Sequence, residues 1–210
     1  MSNRLVELFE DMALITKVRR RLPYLFQLAE LECSRAGKLG MEIGSIREKI
    51  IVSLLIYKFG ERNVDTEIPI TEAEVDVKLF DSSISIKTIT GKALNGVKLI
   101  WTVDAQNAIE FSNKYIPSCD IILVQIVWNS SGGLYYIPLE TQIRIFNEME
   151  RQNYIKLPKL GTNPRGVEFT KQSLENLIAD NNTRKILIEW QRMDMEFNPY
   201  KRWIDLWREN

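Results

Sequence analysis

Residues 74–89, Glu-Val-Asp-Val-Lys-Leu-Phe-Asp-Ser-Ser-Ile-Ser-Ile-Lys-Thr-Ile, restrict the fold more than any other stretch of the chain. Val75, Val77 and Leu79 alternate with Asp76 and Lys78, and Ile84 and Ile86 alternate with Ser85 and Lys87. Alternation with period two marks half-buried strands. Asp81 and Ser82 are turn formers, so the segment reads as a hairpin. Folding it about them sets Asp76 opposite Lys87 and Lys78 opposite Ser85 on one face. Val77, Leu79, Ile84 and Ile86 share the other. A one-residue slip would drive charges among the aliphatic side chains, so the pattern is expected to fix the register. A carboxylate and an ammonium then stand side by side on a rigid sheet. Alone, such a cross-strand pair is worth about 0.2–1 kcal/mol on a solvated face. The same arrangement is also a way to build a metal-dependent site that cleaves phosphodiesters.

Histidine is absent from all 210 residues. That excludes Ser-His-Asp and Cys-His triads, histidine-ligated zinc and a histidine general base. Cys33 and Cys119 lie far apart with neither metal nor disulfide spacing, which suits a reducing cytoplasm. What remains is chemistry run by carboxylates, lysines, tyrosines or a hard cation held by oxygens. Twenty-eight basic residues balance 28 acidic ones, so any affinity for nucleic acid comes from local patches and not from the global field. No signal peptide and no membrane span are expected, since the longest apolar run, Ile50 to Tyr57, is interrupted by Ser53.

Upstream of the hairpin, apolar spacing predicts a helix over 3–22 and a second one opened by Pro23 and closed near Gly37. Residues 37–44, Gly-Lys-Leu-Gly-Met-Glu-Ile-Gly, are a glycine-rich loop in which Gly40 lets backbone pass close to a partner. Met41 at its centre is either a cap over the local core or a wedge between base steps. Ser45 to Glu48 matches a capping box, and the helix it opens is apolar nearly all round. Glu48 shares a stripe with Val52, Leu55 and Phe59, so its carboxylate sits at the head of an apolar face and needs a partner or a cation.

Beyond the hairpin, Lys92 lies in a loop between Gly91 and Gly96, and a third strand is expected over 97–103. Then come a helix from Asp104 to Tyr115, a doubly buried strand over 120–128, a returning strand over 134–137 and a helix to about Met149. The loop over 156–166 is basic and rigid, with Lys156, Lys159 and Arg165 among prolines and glycines. Helices are expected over 171–179 and 183–192, followed by an aromatic tail with Trp203 and Trp207. The expected layout is one compact unit in three parts: N-terminal helices and an approach loop (1–44), a core (45–150), and a basic loop with a helical C-terminal extension (151–210).

Glu48 from a helix, Asp76 from one strand and Lys87 from the next, in the order α-β-β-β-α-β, resemble the PD-(D/E)xK nuclease superfamily. Residues 40–90 together with Asn163-Pro164-Arg165-Gly166 look like a type II restriction endonuclease of that superfamily. The superfamily usually carries an acid two residues before the lysine, where this chain has Ser85; Glu48 would replace it. The triplet Asp76-Val77-Lys78 also spells (D/E)xK, with Glu67 or Glu72 as the upstream acid, and stays open as a second arrangement.

The resemblance implies an α/β fold, a mixed sheet flanked by helices. It implies Mg²⁺ held by Glu48, Asp76 and the Ile86 carbonyl, with Lys87 completing the catalytic set. It implies double-stranded DNA as substrate, contacted by Gly40, Met41, Lys92, Asn163 and Arg165. A homodimer would cut a short palindrome, CGCG, to blunt ends with 5′-phosphates and 3′-hydroxyls. A repair nuclease or junction resolvase of the same fold, and a DNA-binding protein without catalysis, are the alternatives.

Overall fold

The computed structural model describes residues 4–35, 38–39, 42–69, 72, 74–158 and 166–209. It begins with helices α1 (Val6–Glu10) and α2 (Met12–Cys33), the hairpin β1 (Ser34–Arg35) and β2 (Lys38–Leu39), and helix α3 (Ile43–Phe59). Strands β3 (Val64–Asp65), β4 (Val77–Leu79), β5 (Ser82–Thr90) and β6 (Lys98–Ile100) follow, then helix α4 (Ala105–Lys114). Next come β7 (Asp120–Ile126), β8 (Ser130–Ile137), α5 (Leu139–Met149), α6 (Arg151–Tyr154), β9 (Ile155–Lys156) and β10 (Val167–Phe169). Helix α7 (Lys171–Ala179), strand β11 (Arg184–Trp190) and helix α8 (Lys201–Arg208) complete the series.

Six strands form the central sheet in the order β11-β8-β7-β5-β4-β3. Among the described residues only β5 and β7 run parallel, joined through α4. One face packs Ile84, Ile86, Ile122, Val124 and Trp190 against α1, α2 and α3. The other packs Ile89, Ile121 and Leu123 against α4 to α7 and against a small sheet of order β6-β10-β9. The mixed α/β class is therefore as the sequence predicts.

Several elements differ from expectation, each for a physical reason. The first helical break falls at Asp11, whose carboxylate accepts a hydrogen bond from the Leu14 amide at 3.0 Å and pairs with Lys58 at 2.8 Å. Pro23 lies inside α2 instead of opening a helix. An interior proline costs about 3 kcal/mol. Burying Leu14, Ile15, Val18, Leu22 and Phe26 on the same helix outweighs it, at roughly 1.5–3 kcal/mol each.

Residues 184–190 form a strand and not a helix. Ile186, Ile188 and Trp190 are buried while Lys185, Leu187 and Glu189 are exposed, and β11 pairs along its length with β8. The third strand of the core is β3, which the sequence reads as linker, whereas β6 belongs to the small sheet.

The hairpin register is Val77↔Ile84, Lys78↔Ser83 and Leu79↔Ser82, two residues away from the predicted one. A slip of two preserves both faces, so the alternation fixed the faces but not the register. The connection is Phe80-Asp81, with Phe80 at φ 53°. A bulky residue holds that backbone because its amide donates to the Asn63 carbonyl at 2.8 Å, and its ring lies between Phe59 and the Arg4 guanidinium.

Gly166 opens β10 at φ +104°, and a Cβ there would lie 1.8 Å from the Ile100 carbonyl oxygen of β6. Gly166→Ala is expected to cost about 2 kcal/mol or more. At this chain length that lowers the thermal midpoint by roughly 4–8 °C. Gly44→Ala is the control, since nothing lies near its added Cβ; equal midpoints for the two variants would refute the clash.

Candidate active site

Strand β4 starts only at Val77, whereas β5 runs on from Ser82 to Thr90. The β4-side flank of β5 is therefore open beyond Ser85, and the Asp76 side chain takes the place of a strand there. The Asp76 amide donates to the Ile84 carbonyl at 2.9 Å. Its Oδ2 accepts from the Ile86 amide at 2.6 Å and from Ser85 Oγ at 3.2 Å. Lys87 Nζ stands 3.9 Å from that same oxygen, and the two side chains are 17% and 21% exposed. Oδ1 has no hydrogen bond among the described residues. In a strand the N–H and C=O of one residue point to the same side. The Ile86 carbonyl therefore faces the open flank as its amide does.

Helix α3 brings Glu48 to the same place. It begins at Ile43, two residues ahead of the expected start, and no side chain caps its Glu42 end. The capping box is thus not formed, and Ser45 lies within the helix. Among the described residues the half-buried Glu48 carboxylate has no hydrogen bond and no ion pair. Burial pushes its proton affinity above the ordinary glutamate value, the Asp76 charge pushes it further, and Lys87 partly offsets both. Asp76 and Lys87 thus stand in contact, and the Glu48 carboxylate feels the charge of both.

In the second arrangement Lys78 Nζ is bonded at 2.8 Å to Glu72 Oε1, one of its two upstream acids. Lys92 is exposed at a bend after β5, and its carbonyl accepts from Gln125 Nε2 at 3.4 Å. Gly40, Met41, Asn163 and Arg165 lie outside the described residues. The segment carrying Asn163 and Arg165 joins β9 to β10, which pair antiparallel.

Two groups escape the sequence reading. Glu74 is half-buried, and its Oε2 accepts from Ser118 Oγ at 2.9 Å. Burial raises its pKa, with the Ser118 bond and the charge of Lys87 opposing. The signal was its place two residues before Asp76, in the same phase. Arg47 is the other. It is buried next to Glu48, bonded to Glu30 Oε1 at 2.7 Å and to Thr90 Oγ1 at 3.1 Å. An arginine opening an apolar helix was the clue. The thiol of Cys119 is pushed up to about 12 by burial, so it supplies no thiolate at neutral pH.

The donor set fits a hard cation that keeps much of its own hydration. Among the described residues there is no cluster of three or more His, Cys, Asp and Glu side chains, so an all-protein cage is absent. Mg²⁺ is commonly held by one or two carboxylates plus substrate phosphate and water. A free carboxylate edge on Asp76, an unpartnered Glu48 and an outward carbonyl match that requirement.

A six-stranded mixed sheet with helices on both faces, carrying a carboxylate-lysine pair where β4 stops short of β5, fits a nuclease. A solved structure described as "Restriction endonuclease in complex with substrate DNA" superposes with a TM-score of 0.92 at 60% identity, covering 99% of this chain and 100% of that one. The family model for restriction endonuclease ThaI matches residues 8–209, and the chain belongs to that family. Among curated proteins none matches. The protein is thus a site-specific nuclease.

Proposed function

We propose that the enzyme is a Mg²⁺-dependent type II restriction endonuclease of the PD-(D/E)xK kind, acting as a cytoplasmic homodimer. It hydrolyses both strands of a short palindrome in duplex DNA, CGCG by resemblance, leaving blunt ends with 5′-phosphates and 3′-hydroxyls. The observation that carries this is Glu48: a half-buried carboxylate without a hydrogen-bond partner among the described residues, within the electrostatic reach of Asp76 and Lys87. Leaving such a charge unpaired is costly, and a divalent cation relieves it.

Glu48, Asp76 Oδ1 and the Ile86 carbonyl would hold the cation. When bound, Mg²⁺ supplies Lewis acidity at the phosphate and lowers the pKa of water. Asp76 is kept in place by the Ile86 amide and the Ser85 hydroxyl. Lys87 directs its ammonium at the oxygen that gains charge and orients the attacking water. Gly40, Met41, Lys92, Asn163 and Arg165 contact the duplex, with Arg165 at base edges or phosphates and Met41 as the minor-groove wedge.

Plasmid DNA incubated with Mg²⁺ should give discrete bands that EDTA abolishes. Smearing or nicking of branched DNA points to a repair nuclease, and a gel shift without cutting to a binder.

Helix α8 supports the dimer. Tyr200, Trp203, Ile204 and Trp207 line one side of it and are all exposed, Trp207 to 90%. Among the described residues no helix is long and apolar enough to cross a membrane, so this face is not part of such a span. Exposed aromatics at that density suit a subunit interface, and a palindrome calls for two-fold symmetry. Removing residues from Tyr200 onward is expected to halve the mass seen by light scattering and to turn double-strand cleavage into nicking. An unchanged mass would reject α8 as the interface.

A further inference from the structure

Helix α3 carries Glu48, and its apolar surface sets its rotation only coarsely, through the one face that Ile51 and Leu55 bury. Ile50, Ile51, Val52, Leu54, Leu55 and Ile56 surround it, and only Ile51 and Leu55 among them are fully buried. A helix that is apolar all round packs about as well after a small turn about its axis. With a diameter of about 10–12 Å including side chains, a turn of roughly 10° moves an outer atom by about 1 Å. Mg²⁺ demands near-ideal octahedral distances of about 2.0–2.1 Å, so that displacement matters at the site.

Beside Glu48 a buried polar cluster adds directed attachments at the end of the helix opposite the Lys58–Asp11 ion pair. Arg47, 5% exposed, donates through Nη2 to Glu30 Oε1 at 2.7 Å and through Nη1 to Thr90 Oγ1 at 3.1 Å. Glu30 belongs to α2, and Thr90 ends the strand that carries Lys87. Glu30, 4% exposed, is itself held by Trp128 Nε1 at 2.9 Å and by Arg192 Nη2 at 2.6 Å. The Arg192 guanidinium lies 4.3 Å over the Trp128 ring, and Gln27 bonds Met193 through both its amide and its carbonyl. Helix α3 is thereby tied to α2, to β5 and to the segment that follows β11. Buried ion pairs are often matched or exceeded in stability by apolar residues of the same volume. What this cluster supplies that a hydrophobic one would not is directed attachment at two points.

We propose that Arg47 and Glu30 are positioning residues for the cation site: Arg47, anchored to Glu30 and Thr90, holds α3 at the rotation that presents Glu48 to Asp76. The proposal rests on Glu48 being a cation ligand. Its test uses Thr90→Val and Arg47→Lys in the full-length protein, with Mn²⁺ as the probe and the paramagnetic signal of unbound Mn²⁺ as the readout. A displaced Glu48 is expected to weaken metal binding by roughly tenfold, the scale seen when a ligand loses its orienting partner. That loss is expected for both variants, while DNA affinity measured in EDTA stays within about twofold of the parent. In a Glu48→Gln background, Thr90→Val should add less than about twofold, because the two act through one group. Variants that lower the thermal midpoint without weakening Mn²⁺ would overturn the proposal. So would an undiminished further loss in the Glu48→Gln background. If Glu48→Gln itself leaves Mn²⁺ affinity unchanged, the ligand reading fails first. If Glu48→Gln weakens Mn²⁺ and the clamp variants do not, only the positioning role fails. Thr90→Val removes one hydroxyl from an exposed residue, so it decides the matter even where Arg47→Lys does not fold.

Discussion

Lys87→Ala is expected to abolish cleavage while the protein remains folded and bound to DNA. The ammonium lies on the same face as Asp76, 3.9 Å from Oδ2 and only 17% exposed, so its field is poorly screened at the reacting phosphate. Removing one preorganised charge of this kind costs about 10²–10³ in rate. Losing a group that also handles a proton costs about 10²–10⁴. A combined loss of at least about 10³-fold in single-turnover cleavage of a CGCG duplex is expected. The ion pair itself contributes little to stability, because Asp76 keeps its bonds to the Ile86 amide and the Ser85 hydroxyl. Circular dichroism and the thermal midpoint should therefore match the parent closely. Lys87→Arg should not restore activity, since a planar guanidinium fork does not replace a compact ammonium. Cleavage by Lys87→Ala within about tenfold of the parent would remove Lys87 from the chemistry.

Short-range patterns carried the parts of this fold that a one-dimensional period can encode. Alternation over residues 75–87 gave the hairpin and its two faces, because a side chain's face depends only on parity. It did not give the register, which Phe80 decides by taking a positive φ against Phe59 and Asn63. The strand at 184–190 was hidden because Lys185, Leu187 and Glu189 are good helix formers; pairing with β8 overrides that propensity. Pro23 misled in the opposite sense, since burial of one face of α2 tolerates it. For the site, residue chemistry and a family resemblance together nominate Glu48, Asp76 and Lys87, of which Asp76 and Lys87 stand 3.9 Å apart because they share a face of the sheet. Arg47 and Glu74 left only slight cues, and the roles of both and of Glu30 depend on partners 17, 43 and 44 positions away in the chain.

Glu48→Gln should separate function from stability. Burial first, and then the charge of Asp76, raises the Glu48 carboxyl above its ordinary value, so ionising it in the metal-free protein opposes folding. A carboxyl whose folded pKa is raised binds more protons in the native than in the unfolded chain between the two pKa values. Its contribution to stability is therefore greatest below the unfolded value and is lost as pH rises through the folded one. Glutamine carries no charge to desolvate. The variant should have a higher thermal midpoint than the parent in EDTA at about pH 8, with the gain vanishing near about pH 4, where Glu48 is already protonated. Cleavage should move the other way. Without one of two carboxylates the cation is held more weakly, and the rate at fixed Mg²⁺ should fall by roughly 10²-fold or more. In the parent, cleavage should decline as pH drops through the raised Glu48 value, because on the proposed reading the carboxylate form alone holds the metal. A variant that keeps parental cleavage, or whose midpoint falls at high pH, would show that Glu48 serves the fold and not the cation. A gain in stability paired with a loss of cleavage is the signature of a charge kept at an energetic cost for the chemistry it performs.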